Sequence, residues 1–300
     1  MKAVQFSEYG GPEVLQLVEV AEPHAEPGQV RIAVRAAGVN GIDWKIRAGY
    51  MRGGSHLSLP AGTGRDAAGV VDEVGDGVLA VGIGAAVFGS GRATYAQFAV
   101  LSSWAAMPSG LTFEEAAGFP VPVETARRII DEVGVQAGQT LLVSGAAGGV
   151  GSAVVQFARR QGITVIGTAS AQNQDYLRSL GAIATTYGEG LVARVRALAP
   201  GGIDAALDIA GSGVLLELIE LTGNPSRVVT IADFKAAEHG VQFSAGASDH
   251  RAAFLEAARL FAEGALRIPV AKTFELAEAA AAQRASEDGH IAGRIVITVS

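Results

Sequence analysis

The segment from Leu141 to Ala158, LLVSGAAGGVGSAVVQFA, sets Gly145, Gly148, Gly149 and Gly151 between an apolar run and a helical repeat. Residues without a Cβ let the chain turn sharply and let backbone N–H groups come close to a ligand. At the start of a helix those N–H groups and the positive end of the helix dipole meet an anion, and a pyrophosphate fits that demand. Gly151 would also let the helix lie close on the strand before it. The stretch reads as a dinucleotide-binding turn, with Gly145, Ala147, Gly148, Gly149, Val150 and Gly151 as its contacts. A purely structural glycine turn would carry the same letters, so that alternative stays open.

The end of the next apolar run bears on which dinucleotide. NAD sites commonly supply an acid there for the ribose hydroxyls, but this chain reads Gly167-Thr168-Ala169-Ser170-Ala171-Gln172-Asn173, with no acid before Asp175. Small hydroxyl and amide side chains leave room for a 2′-phosphate, so NADPH is favoured, with Thr168 and Ser170 beside it. Tyr187 is a further candidate phosphate contact, and Arg178 is either a phosphate partner or a solvated helix charge. His290 and Arg294, in GHIAGR, either approach the cofactor phosphates or belong to a surface loop. Elsewhere, Asn40 before Gly41 reads as a turn former. Asp43 reads as the cap of a helix beginning at Trp44, Arg65 and Asp66 as a pair or as strand-bound, and Asp208 as a helix cap or a cleft residue.

The elements around these residues fall into two styles. From Met1 to about Met107 short β-like runs alternate with turn signals such as Gly10-Gly11-Pro12 and Gly75-Asp76-Gly77. Val30 to Val34 shows the period-two pattern of a half-buried strand, followed by runs at Ala67 to Val74, Ala85 to Phe88 and Tyr95 to Leu101. A partly open barrel suits this half. After about Gly118, strands at Leu141 to Val143, Ile163 to Gly167, Ile203 to Ile209 and Val228 to Ile231 are interspersed with helical patterns, including Val214 to Leu221. That alternation implies a doubly wound parallel sheet. The tail carries a helical stretch, Phe254 to Phe261, a segment Ile268 to Leu276, an Ala-rich helix around Glu278 to Ala285, and a strand, Ile295 to Val299.

Composition narrows the function. The 300 residues contain no cysteine, which excludes disulfides, thiolate nucleophiles and thiolate-bound zinc or iron–sulfur clusters. A formal net charge of −7 with scattered basic residues makes nucleic acid an unsuitable partner. No apolar stretch approaches the roughly 20 residues of a membrane-spanning helix. The opening MKAVQFSEYGGPEV lacks the apolar segment of a secretory signal, so the cytosol is the expected location.

Taken in order, MKAVQFSEYGGPEVLQL, VRAAGVNGIDWKIRAGY, LPAGTGRDAAGVVDEVG, AAGGVGSAVVQFAR and GHIAGRIVITV resemble the medium-chain dehydrogenase/reductase superfamily, in its NADPH:quinone oxidoreductase branch. The resemblance implies an α/β architecture: a GroES-like barrel domain from residues 1–117 and 248–300, and a Rossmann domain from 118–247. Zinc-dependent members have a cysteine at the position of Asn40 and a His-Glu pair at Arg65-Asp66, so no metal is expected. The resemblance puts Asn40 and Tyr50 against the nicotinamide and substrate and Thr125 near the carboxamide, and adds Ile231 and Arg294 to the cofactor contacts. The Thr125-Ala126-Arg127 sequence departs from the family's usual aromatic third residue. The implied reaction is hydride transfer from NADPH to a quinone or similar conjugated carbonyl, with Asn40, Tyr50 and Arg65 as candidate donors to the developing oxyanion. Two alternatives remain: an alkenal, enone or enoyl-thioester reductase, and a non-catalytic NADPH-binding protein. A homodimer is implied as well.

Overall fold

The computed structural model describes residues 1–51, 57–246 and 250–300. The chain divides into two units, Met1–Val121 together with Asp249–Ser300, and Pro122–Ser248. Where the sequence suggested a cut at 117/118, the observed cut follows Val121, whose N–H is held by Asp66 of the first unit. The suggested return at 247/248 lies outside the described residues.

The first unit opens with β1 (Lys2–Phe6), β2 (Gln16–Glu19), β3 (Val30–Val39), α1 (Gly41–Arg47), β4 (Ala61–Gly62), β5 (Asp66–Val74), β6 (Ala86–Gly91), β7 (Phe98–Ala106) and α2 (Phe113–Ala117). Along β3, Val30, Ile32 and Val34 are buried while Arg31 and Ala33 are only partly covered, the signature of one wet face. From Ala36 to Val39 every residue is buried, because α2 packs on the other face. The run read as Tyr95 to Leu101 belongs to a strand that starts at Phe98 and continues to Ala106.

Next come α3 (Pro120–Val133), β8 (Thr140–Ser144), α4 (Gly149–Arg160), β9 (Thr164–Ala169), α5 (Gln174–Leu180), β10 (Ile183–Thr186), α6 (Leu191–Leu198), β11 (Ala205–Asp208), α7 (Leu215–Thr222), β12 (Val228–Thr230) and β13 (Gln242–Phe243). The second unit's sheet is parallel throughout, in the order β10-β9-β8-β11-β12-β13. Its strands are nearly continuous apolar runs because helices cover both faces. The order reverses between β8 and β11, and ligands of such sheets bind at that reversal, beyond the carboxyl ends of the strands.

The chain returns to the first unit with α8 (His250–Ala262), β14 (Val270–Glu275), α9 (Ala279–Asp288) and β15 (Arg294–Thr298). Here the sheet order is β14-β15-β3-β5-β6-β7, and β7 also pairs back to β3. The sheet therefore curls into a barrel, with β15 and β14 extending from β3. Its core is apolar, built on Phe6, Val30, Ile32, Val87, Leu101 and Ile297. Among the described residues no helix is long and apolar enough to cross a membrane.

One ion pair ties α9 to α1. The Arg47 side chain is fully buried and donates from Nη2 to Glu287 Oε2 at 3.0 Å, while its Nε and Nη1 have no partner among the described residues. Losing the acceptor would leave an uncompensated buried guanidinium, which typically costs about 3–5 kcal/mol. Because the Glu287 side chain is 40% exposed, water offsets part of this. Glu287→Ala is expected to destabilise the first unit by about 2 kcal/mol, with Glu287→Gln milder because it keeps an acceptor. Urea midpoints check both, and an unchanged midpoint for the alanine variant would refute the assignment.

Candidate dinucleotide and substrate-binding residues

In the second unit β8 ends at Ser144 and Gly145 turns the chain with φ at 83°, a left-handed value that suits glycine. The turn is held from below by β9, where Gly145 N–H donates to Thr168 Oγ1 at 3.4 Å and Ala146 N–H to the Thr168 carbonyl at 3.0 Å. Gly148 is the N-cap of α4 and offers no side chain to the helix. The first-turn amides of Gly149, Val150 and Gly151 are thus left to an external acceptor. Ser152 donates from Oγ to the Ala147 carbonyl and exchanges a 2.9 Å hydrogen bond with Tyr176 of α5. The structure brings Gly145, Ala147, Gly148, Gly149, Val150 and Gly151 together on this turn.

Thr168 and Ser170 lie at the carboxyl end of β9. The Thr168 hydroxyl accepts from Gly145 N–H, and the Ser170 hydroxyl is buried with no partner among the described residues. Gln174 locks this end by donating to the carbonyls of Ala169, Ser170 and Thr185. Arg178 is exposed and paired with Asp175 at 2.6 Å, and Tyr187 is half exposed after β10. Asp208 caps no helix: its Oδ1 accepts from Gly211 N–H and its Oδ2 from Thr230 Oγ1, joining β11 to β12. Burial raises the Asp208 carboxyl above its ordinary range. Ile231 follows β12 and donates its N–H to the Asp208 carbonyl. Thr125 is buried on α3, its hydroxyl donating to Glu124 at 3.5 Å.

The first unit holds a buried polar cluster where β3, β5 and β15 meet. In antiparallel register Ile295 faces Val39, which sets Arg294 beside Asn40. Arg294 Nη2 donates to Asn40 Oδ1 at 2.8 Å and lies 3.5 Å from Asp66 Oδ2, while Asn40 Nδ2 donates to Asp66 Oδ2 at 2.9 Å. Val121 N–H, in the first turn of α3, donates to both Asp66 oxygens at 3.1 Å. A second acid supports the cluster: Asp43 Oδ2 accepts Asn40 N–H and the Tyr95 hydroxyl, each at 2.9 Å. Burial pushes Asp43 up to about 6 and Asp66 up to about 7, with Arg294 and the hydrogen bonds pulling both the other way. Burial lowers the Arg294 guanidinium and raises the Tyr95 phenol, the latter reinforced by Asp43.

Several sequence readings are corrected here. The first helix starts at Gly41 and not Trp44, so Asn40 is its N-cap and Asp43 sits in its first turn. Arg65 is exposed, and the partners of Asp66 are instead Arg294, Asn40 and Val121. Arg294 is neither on a surface loop nor turned outward, since its guanidinium is buried in the cluster. Tyr50 is 65% exposed, its ring edge-on to Trp44 at 6.0 Å, and it stands outside the cluster. Tyr95 was missed altogether. The usable signal for the cluster was Asp66, an acid directly before the apolar run Ala67–Val71, which can be buried only with partners.

Comparison with known proteins agrees with this architecture. Residues 26–119 match the alcohol dehydrogenase GroES-like domain, and residues 180–297 match the family described as zinc-binding dehydrogenase. Human quinone oxidoreductase is 40% identical over 179 residues, 57% of this chain and 54% of the relative, so the match spans about half of that protein. A solved alcohol dehydrogenase superfamily protein from Novosphingobium aromaticivorans is 30% identical, with all of both chains covered and a TM-score of 0.87. A mycobacterial protein solved with NADPH is 26% identical, with a TM-score of 0.85 over 99% of this chain and 100% of its own. A GroES-like barrel joined to a dinucleotide-type sheet defines a class of two-domain oxidoreductases. The chain belongs to the alcohol dehydrogenase superfamily of medium-chain dehydrogenases and reductases.

Proposed function

We propose that this chain is an NADPH-dependent, zinc-independent oxidoreductase that reduces a quinone or a similar conjugated carbonyl. The observation that carries the reading is the Gly145–Gly151 turn at the sheet's reversal point, with the first-turn amides of α4 uncapped by any side chain. The residues fit the cofactor. A Cβ at Gly151 would stand 2.3 Å from the Gly145 carbonyl, so the cradle tolerates only glycine, and the end of β9 offers the unpartnered Ser170 hydroxyl with no acid to repel a 2′-phosphate. Gly149, Val150 and Gly151 would hold the pyrophosphate, Thr168, Ser170 and Tyr187 the adenosine end, and Thr125 and Ile231 the nicotinamide end. NADPH, when bound, supplies the hydride.

The chain's own part is orientation and charge stabilisation. Asn40 would donate to the substrate oxygen as negative charge gathers there, an effect worth about 100-fold when one such donor is removed. Tyr50 would border the substrate. Zinc independence is supported by the absence of cysteine and by Arg294, whose cation already lies against Asn40 and Asp66 and would repel a metal dication. A cytoplasmic homodimer completes the reading, on the family resemblance, and light scattering tests the dimer.

The direct test follows absorbance at 340 nm with NADPH and NADH, using 1,4-benzoquinone, 9,10-phenanthrenequinone and a short 2-alkenal, with and without a chelator. Quinone turnover preferring NADPH and indifferent to chelation is the expected result. Tight NADPH binding with no turnover would overturn it.

A further inference from the structure

We propose that Arg294 is a positioning residue that sets which end of the Asn40 amide faces the substrate, leaving one Asn40 N–H aimed at the substrate oxygen. This rests on the reading of Asn40 given above. The argument begins with donors and acceptors. A guanidinium only donates, so the atom of Asn40 beside Arg294 Nη2 at 2.8 Å has to be the carbonyl oxygen. The amide nitrogen then points to Asp66 at 2.9 Å and spends one of its two hydrogens there. The other hydrogen has no partner among the described residues.

The pin comes from Arg294 and not from Asp66. A carboxyl that titrates near neutrality changes from acceptor to donor as it gains a proton, and burial raises Asp66 to about 7. A guanidinium keeps its donor character at every relevant pH. The rest of Asn40 is held independently, since its N–H is fixed by Asp43, which Tyr95 anchors. Arg294 is itself set by strand register, and its N–H donates to the Pro269 carbonyl at 2.8 Å. Both residues are therefore anchored at their backbones, and the orientation of the Asn40 amide is set by its side-chain contacts to Arg294 and Asp66.

A double-mutant cycle on the full chain tests this, with quinone reduction as the readout. Asn40→Ala is expected to lower kcat about 100-fold. Arg294→Met should lower kcat to a similar extent without weakening NADPH binding, and the double variant should be no slower than Asn40→Ala alone. Arg294→Lys, which keeps a cationic donor and guards against a fold lost in the methionine variant, should recover part of kcat. Losses that multiply in the double variant would overturn the proposal, as would an Arg294→Met whose defect lies in NADPH affinity. A second readout is independent of turnover: hydrogen exchange at the Asn40 side-chain amide, followed by NMR, should quicken at least about tenfold in Arg294→Lys. Unchanged exchange would overturn the proposal. If the wild-type chain turns over no quinone or conjugated carbonyl, the proposed function fails, and the exchange measurement alone decides whether Arg294 orients Asn40.

Discussion

Gly151→Ala will remove dinucleotide affinity while the chain still folds. An alanine Cβ would lie 2.3 Å from the Gly145 carbonyl oxygen and 2.5 Å from the Ala146 Cα, both backbone atoms that cannot rotate away. The turn must shift, and Gly145 and Ala146 are tied to Thr168 by the two bonds that seat it on β9. Overpacking of this kind costs about 1–3 kcal/mol, which a domain with a stability of roughly 5–15 kcal/mol survives. A cradle of three amides splayed by a few tenths of an ångström loses more, because each donor must reach the same phosphate oxygens. At about 1.4 kcal/mol per tenfold, a weakening of NADPH binding by about 100-fold or more is expected. Gly148→Ala is the control, because its Cβ meets only the Gly145 carbonyl at 3.7 Å and its φ of −72° suits any residue. Thermal stability of Gly148→Ala should match the parent. Calorimetric titration with NADPH decides the matter, and parental affinity in Gly151→Ala would refute the assignment of this turn.

The second unit was the more legible in sequence. β8 and α4 appear within a residue or two of where the apolar runs and the 3.6 repeat of Val150, Val154 and Phe157 placed them, because local pattern and tertiary burial demand the same thing there. Short edge strands were not legible: β10 and β13 are held by their neighbours and have little pattern of their own. In the first unit the strands could be read, but the cluster could not. Asn40, Asp66 and Arg294 are far apart in sequence and meet only because β5 and β15 both pair with β3. Local reasoning therefore gave each a local job: turn former, neighbour of Arg65, loop residue. The type of residue carried the signal, but its partner depended on topology.

The pH dependence of stability is where that cluster will be seen most directly. Asp43 and Asp66 both ionise near 3.8 in an unfolded chain, whereas burial raises them to about 6 and about 7 in the folded protein. Between those limits the folded state holds protons that the unfolded state has released, so stability falls as pH rises. Their contribution is fully present below about pH 4 and is lost as pH rises through 6 and 7. Each pH unit of difference is worth about 1.4 kcal/mol, so the loss from Asp66 is on the order of a few kcal/mol. Partly buried surface acids with lowered values, such as Glu73 beside His24 and Arg31, act in the opposite direction, and their effect is complete at lower pH. Asp66→Asn isolates the effect, because asparagine keeps an acceptor for Val121 N–H but cannot ionise. Trp44 and Trp104, the chain's two tryptophans, both lie in the first unit, so their fluorescence reports the relevant unfolding. Urea titrations at pH 5 and pH 8 should show the variant's deficit shrinking at the higher pH, because the parent alone bears the cost of the buried charge. A deficit that is equal at both values would mean that Asp66 is ionised throughout, with Arg294 outweighing its burial.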